Sequence, residues 1–276
     1  MNPSRTSSLP DRRSLDALRA VVRAIERGAR KGAGAVVPFD LPALDGRLAG
    51  GGLPVAALHE AAAASIAPGD DAAATAFLAA LAARLARAKG EGRQVLWTFL
   101  PPAPFPPALA GVGLAPARVF YAECRDEGEL LAAMEDALRH GGLAAVVGES
   151  GRFDMAAARR LQLAAEESGT TALLRRRWRR RGGDPLEAPS SAVTRWRIGC
   201  APAAPLPCGI GPFAGLGRPR WRVELARQRG GAPFRWLLEA PDAEARLALA
   251  ARSGDRPDPA RRAIRDASVP AAAAAA

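Results

Sequence analysis

The sequence is poor in aromatic residues, which make up 5% of its 276 positions. Hydrophobic residues still account for 49% of the chain, so a sizeable core must be filled largely by alanine and aliphatic side chains. Alanine buries less apolar surface than leucine, and each such position therefore contributes less to stability. The length predicts one large domain, or one domain with appendages.

Cysteine and histidine are also scarce. The three cysteines, Cys124, Cys200 and Cys208, form no C-x-x-C pair, and an odd number argues against a disulfide framework. Reduced thiols are typical of cytoplasmic proteins, so a cytoplasmic location is expected. His59 and His140 stand apart from any cysteine or suitably spaced carboxylate, and no metal site is expected.

The chain lacks long apolar runs and has little lysine. No run approaches the ~20 residues that span a bilayer, and the charged N-terminus has no apolar segment after it. We therefore expect neither a signal peptide nor a membrane partner. Lysine occurs only at positions 31 and 89, so arginine supplies nearly all of the formal net charge of +11. That charge favours polyanions or acidic protein surfaces as partners, but a GC-rich coding sequence would produce the same bias.

The most informative local pattern is a strand, a loop and a helix in the first third of the chain. A glycine-rich turn at 48–54 precedes an apolar run at 55–60, which predicts a strand, and a loop at 61–71 leads into an alanine-rich helix. Nucleotide-binding proteins carry the motif G-x-x-x-x-G-K-[ST] in such a loop. Here the loop has one glycine, no lysine, and Asp70 and Asp71 where a cation belongs. These carboxylates would repel a triphosphate.

The segment FDLPALDGRLAGGGLPVAALHE, residues 39–60, resembles the entry to the RecA-type ATPase core. Together with the loss of the phosphate loop, it makes the chain similar to the ImuA family, RecA-like and SulA-related proteins of bacterial ImuA–ImuB mutagenesis cassettes. The resemblance implies an α/β fold, in which a RecA-like core has a mostly parallel twisted sheet flanked by helices and a C-terminal antiparallel hairpin. It also implies catalytic acids after the strands at 93–100 and 143–150. Prolines follow the first strand and the second offers only Glu149, so we expect no enzymatic activity and no cofactor.

Three regions are predicted along the chain. Residues 1–34 carry an amphipathic helix and a basic linker, and residues 35–250 form the core with its degenerate nucleotide site. Residues 251–276, rich in proline, arginine and alanine, are predicted to be disordered. Within the core, alternating strands and helices predict a parallel sheet, residues 220–240 predict a hairpin, and residues 243–249 predict a further helical turn.

A predicted strand at 170–174 runs into six arginines around one tryptophan. The resemblance puts this cluster near a DNA-contacting loop of RecA-type recombinases. Guanidinium groups bind phosphates and tryptophan can stack on a base, whereas an acidic protein surface, or solvent alone, would also suit these arginines. In the hairpin, the resemblance implies that two basic residues, spaced as Arg227 and Arg229, reach a nucleotide held by a neighbouring protomer. Without a nucleotide site, these two could instead serve an interface or simply be solvated. The candidate nucleic-acid or partner contacts are Arg175, Arg176, Arg177, Trp178, Arg179, Arg180, Arg181, Arg227 and Arg229.

The resemblance implies a non-catalytic adaptor in SOS-induced, error-prone translesion DNA synthesis. Its partners would be an ImuB-type, Y-family-like protein and a DnaE-type error-prone polymerase, and contacts with RecA, with single-stranded DNA or in a homo-oligomer stay open. A single-stranded-DNA-binding recombination mediator related to RecA is the main alternative. A divergent ATPase and a SulA-like inhibitor of cell division are two further alternatives. The ATPase is disfavoured because the phosphate loop, the water-activating acid and the metal-binding acid would all need substitutes.

Overall fold

The structure is a computed structural model that describes residues 35–90, 92–179, 183–204 and 217–250. The helix and linker predicted within 1–34 and the disordered tail predicted at 251–276 lie outside these ranges, as do Arg180 and Arg181. The division into three regions therefore stays a prediction.

Strands and helices alternate through the first part of the described chain, and strands alone follow. The strands are β1 (Val36–Val37), β2 (Leu53–Pro54), β3 (Leu58–Ala63), β4 (Val95–Phe99), β5 (Val119–Glu123), β6 (Ala145–Ser150), β7 (Thr171–Arg176), β8 (Thr194–Ala201), β9 (Arg220–Gln228), β10 (Phe234–Glu239) and β11 (Ala248–Leu249). The helices are α1 (Pro42–Asp45), α2 (Pro68–Ala88), α3 (Pro106–Ala110), α4 (Glu127–His140) and α5 (Met155–Ser168), with a 3-10 turn at Pro116–Arg118. Of the helices in the described ranges, none is both long and apolar enough to cross a bilayer.

Nine of the described strands form one sheet in the order β5-β4-β6-β7-β3-β8-β9-β10-β11. All neighbours from β5 to β8 run parallel, and β9, β10 and β11 continue the sheet in antiparallel fashion. The α/β class, the mostly parallel sheet and the C-terminal antiparallel hairpin are thus confirmed. Parallel strands buried on both faces require helices on both sides.

Helix α2 covers one face of this sheet. It begins with Pro68, which suits the first helical position because the backbone N–H there has no partner within a helix. The ring of Phe77, fully buried, packs at centroid distances of 5.4 Å from Trp196 and 6.4 Å from Trp221. Most other buried positions of α2 are alanines, which let the helix approach the strands closely.

Helices α4 and α5 cover the opposite face. Asp126 caps α4 by accepting the N–H of Glu129 at 2.9 Å, and Asp154 caps α5 by accepting the N–H of Ala157 at 2.7 Å. Each helix ends at a glycine with positive φ, a backbone conformation that side chains with a Cβ rarely adopt. These caps and glycines define where both helices begin and end.

Strand β3 lies three residues later than the strand predicted at 55–60, and it continues to Ala63. Ala56 has a φ of 55°, which interrupts an extended strand before Leu58. His59, the second residue of β3, is fully buried. Its Nε2–H donates to the carbonyl of Pro54 at 2.8 Å, and its Nδ1 accepts the hydroxyl of Thr194 at 2.7 Å. Burial lowers the pKa of His59 to about 4, so the imidazole is neutral near pH 7 and is held inside the sheet.

The helical turn predicted at 243–249 is wrong. The carboxylate of Asp242 accepts the backbone N–H groups of Glu244 at 3.0 Å and Arg246 at 2.9 Å, which favours a turn over a helix. The chain then enters β11, which pairs with β10.

We expect Leu78→Ala to lower the free energy of unfolding by about 2–5 kcal/mol, because Leu78 of α2 is fully buried against the sheet and its loss leaves a cavity. Leu163→Ala on α5 is the matched control. The side chain of Leu163 is 44% exposed, and its truncation should cost less than about 1 kcal/mol. Urea denaturation measures both values, and equal losses would contradict the packing of α2 on the sheet.

Candidate functional site

The carboxyl end of β3 faces the start of α2, where the sequence predicts a degenerate nucleotide site. The hydroxyl of Ser65 donates to one oxygen of Asp70 at 2.7 Å, and the other oxygen accepts the N–H of Cys200 at 2.7 Å. Asp70 is 8% exposed, so this carboxylate is buried and satisfied by protein groups. The loop after β3 is thereby tied to the end of β8.

Beside this loop, the Arg175 cluster (Asp71, Glu149 and Arg175) joins the start of α2 to the ends of β6 and β7. The buried guanidinium of Arg175 donates one nitrogen to Glu149 and another to Asp71. The indole of Trp97 donates to the second oxygen of Glu149 at 3.0 Å. Glu149, the one candidate metal-binding acid of the sequence, is therefore engaged by an arginine and a tryptophan.

On the opposite face of the sheet lies the Glu60 cluster (Glu60, Arg176, Arg195 and Ser190). The fully buried carboxylate of Glu60 accepts Nε–H of Arg195 at 2.9 Å, Nη1–H of Arg176 at 3.4 Å and the hydroxyl of Ser190. These contacts join β3, β7, β8 and the segment before β8. A buried carboxylate needs such partners because its desolvation is costly.

The structure divides the predicted arginine cluster. Arg175 and Arg176 belong to β7 and are buried on opposite faces, since a strand sends successive side chains to opposite sides. The strand predicted at 170–174 therefore continues to Arg176, and these two candidate contacts lie inside the sheet. Trp178 also turns inward, where it is partly buried against the α2 side of the core and donates its indole N–H to the carbonyl of Ala63 at 2.9 Å.

Arg177 and Arg179 are not buried in this way and border a cleft of about 460 Å³, here called the arginine cleft. The cleft lies between the ends of β6 and β7, the start of α5 and the segment that begins at Gly183. Arg177 also lies 3.7 Å from Glu149, and its side chain is 30% exposed. The charged residues that line the cleft are Arg152, Arg160, Arg176, Arg177, Arg179, Asp154 and Asp184.

Arg152 and Arg160 were not among the contacts predicted from the sequence. Glu127 of α4 holds the turn that carries Arg152, because its carboxylate accepts the N–H of Gly151 at 3.0 Å. Arg160 on α5 lies 3.1 Å from the carboxylate of Glu135. Parallel strands end at the same edge of a sheet, so the residues that follow β6 and β7 could have been grouped from their order in the chain.

Arg227 and Arg229 do not line the arginine cleft. Arg227 donates to the carbonyl of Ser190 at 2.9 Å, and Arg229 donates to the carbonyl of Ser191 at 3.3 Å. Both side chains support the segment before β8, and their role at an interface stays a prediction.

The fold and the site together define an α/β protein built on one mixed sheet. At the carboxyl ends of its parallel strands lie two ion-paired clusters and an adjoining basic cleft. Protein ImuA of Caulobacter vibrioides strain NA1000 / CB15N is 43% identical to this chain over 212 residues, which cover 75% of this chain and 84% of that protein. Protein ImuA of strain ATCC 19089 / CB 15 of the same species matches to the same extent. The chain therefore belongs to the ImuA family, which confirms the resemblance found in the sequence. No protein-family model matches it.

We expect Arg175→Met to lower the free energy of unfolding by about 3–5 kcal/mol, because Glu149 would stay buried without its charged partner. Adding Glu149→Gln should recover part of this loss, since the amide carries no charge and can still accept the indole N–H of Trp97. Arg179→Met is the control. Arg179 is exposed, and its replacement should change stability by about 0.5 kcal/mol or less.

Chemical denaturation of the three variants and the wild type provides these values. A loss in Arg175→Met that the second substitution leaves unchanged would contradict the charge-pairing role of the Arg175 cluster.

Proposed function

We propose that this protein is a non-catalytic adaptor in error-prone translesion DNA synthesis, acting with the ImuB-type protein of the same bacterium. Membership of the ImuA family supports the proposal. The observation that carries it is the Arg175 cluster, which occupies the end of the sheet where nucleotide-binding proteins with a strand, loop and helix hold phosphate.

A phosphate site at the start of a helix needs free backbone N–H groups and a cation. The first turn of α2 instead carries Asp70 and Asp71, and carboxylates already complement the positive end of the helix dipole. The guanidinium of Arg175 faces two carboxylates in the structure. A triphosphate would have to displace Asp71 from that guanidinium and approach Asp70, so nucleotide binding is disfavoured.

The proposal extends to the partners that the family resemblance implies. The adaptor would join the ImuB-type, Y-family-like protein to a DnaE-type error-prone polymerase during the SOS response. The formal net charge of +11 supports association with acidic protein surfaces. Binding of RecA or a second copy of the chain is compatible with the same role.

A second candidate is a mediator that binds single-stranded DNA directly. The arginine cleft favours it, because Arg152, Arg177 and Arg179 offer guanidinium groups to phosphates. The inward position of Trp178 weighs against it, since this indole donates to Ala63 and is not presented to a base.

We expect millimolar ATP with magnesium to leave the melting temperature unchanged, because the start of α2 presents carboxylates rather than a cation. A true site at a nucleotide concentration of 100 times Kd would add about 2.7 kcal/mol of stability, which a thermal melt detects readily. Inorganic phosphate at matched ionic strength is the control for anions that bind the basic surface. A rise in melting temperature that requires both ATP and magnesium would restore the ATPase hypothesis.

The adaptor proposal predicts a stable complex with the ImuB-type protein from the same genome. Because the binding energy would come from protein surfaces rather than from a nucleotide-bound state, the two chains should co-elute in size-exclusion chromatography without ATP. Adding ATP and magnesium is the control and should leave the elution volume unchanged. No association at any ionic strength would overturn the proposal.

A further inference from the structure

We propose that the arginine cleft binds an acidic segment of a protein partner, whose carboxylates pair with the guanidinium groups while its apolar side chains contact the cleft wall. This inference rests on the proposed adaptor function, because it names the chemistry of a protein that the adaptor would receive. Four features of the cleft support it.

The first feature is unused positive charge. Arg152 and Arg179 are exposed and form no ion pair with any carboxylate in the described part of the chain. Arg177 makes only a 3.7 Å contact with Glu149. Guanidinium groups that converge in a concave site raise the local potential and bind carboxylates with paired hydrogen bonds.

The second feature is a buried donor without a partner. Arg176 is 4% exposed and forms part of the cleft wall, and its Nε–H has no hydrogen-bond partner within the described residues. The contacts of its other nitrogens, with Glu60 and with the carbonyl of Phe153, are long at 3.4 Å. An unsatisfied buried N–H is costly, so the guanidinium of Arg176 is incompletely compensated by the protein and adds positive charge to the cleft wall.

The third feature is a wall that suits a peptide better than nucleic acid. Single-stranded nucleic acid is held by stacking on exposed aromatic rings along a continuous basic groove. Among the described residues that line the cleft, Phe153 is the one aromatic residue, and it is buried with the guanidinium of Arg176 over its ring at 5.0 Å. Leu131 and Pro185 offer apolar contacts, and Asp184 interrupts the basic lining.

The fourth feature is the charge of residues 1–34 and 251–276, neither of which is acidic. Residues 1–34 contain eight basic and three acidic side chains, and residues 251–276 contain five basic and three acidic ones. Both segments therefore carry net positive charge and would be repelled by the cleft. Neither segment has the charge of the proposed acidic occupant, and we therefore assign the occupant to another molecule.

The test measures fluorescence anisotropy of two labelled probes with the full chain. One probe is a short peptide of glutamate with interspersed leucine, and the other is an oligothymidylate of equal charge. The double variant Arg152→Gln with Arg179→Gln should weaken peptide binding about tenfold or more, because two charge-assisted contacts are lost. Arg87→Gln with Arg222→Gln is the matched control, since both are exposed arginines outside the cleft and the change in net charge is the same.

The control variant should weaken peptide binding less than about threefold, a purely electrostatic effect that salt screens. Thermal melts of both variants check that the fold is intact, as expected for exposed side chains. Selective weakening of the peptide by the cleft variant supports the proposal. The proposal would be overturned if the peptide did not bind, or if both variants weakened peptide binding equally. It would also be overturned if the cleft variant weakened binding of the oligonucleotide alone, or of the oligonucleotide as much as the peptide. Because the assay uses this chain and synthetic probes, its outcome is independent of whether the ImuB-type protein co-elutes.

Discussion

Two adjacent buried arginines on β7 constrain the whole carboxyl end of the sheet. Arg175 turns toward α2 and meets Glu149 and Asp71, whereas Arg176 turns to the opposite face and meets Glu60. Buried charge is tolerated only when it is paired, so β3, β6, β7 and the first turn of α2 must come together in one register. A one-residue slip of β7 would exchange the two faces and separate every pair. The ion pairs thus help to fix the register of the strands at this edge of the sheet.

The same constraint changes what the start of α2 can do. In a phosphate site, the ligand supplies the negative charge that the positive end of the helix dipole favours. Here Asp70 and Asp71 supply it from within the chain, and Arg175 neutralises one of them. The helix start is therefore stable without a ligand. Under the proposed function, internal ion pairs take the place of a bound nucleotide at this helix start. This agrees with a scaffold that acts through its surfaces.

Local signals were sufficient for some elements and insufficient for others. The starts of α4 and α5 were predictable because Asp126 and Asp154 cap them from adjacent positions. The position of β3 was not, because an alanine run has no alternation to define a strand, and the turn at Asp242 depended on side-chain hydrogen bonds. The clusters depended on partners far apart in the chain, such as Glu60 and Arg176, which are separated by 116 residues. An acid on an apolar strand requires a basic partner when it is buried, and this rule could have predicted the clusters.

The ion pairs help to locate the excess positive charge, which the composition gives only as a total. The Arg175 and Glu60 clusters together contain three arginines and three carboxylates, so the two clusters add no formal net charge. The formal net charge of +11 must then lie on other groups, including the terminal regions and the arginine cleft. Arginine suits both tasks, because its planar fork lets Arg175 serve two carboxylates with separate nitrogens, which the compact ammonium of lysine would do less well. A GC-rich coding bias would supply arginine, but it would not place a carboxylate opposite each buried one. Arg152 and Arg179, which are exposed in the arginine cleft and have no such partner within the described residues, are the side chains that the proposed acidic segment would contact.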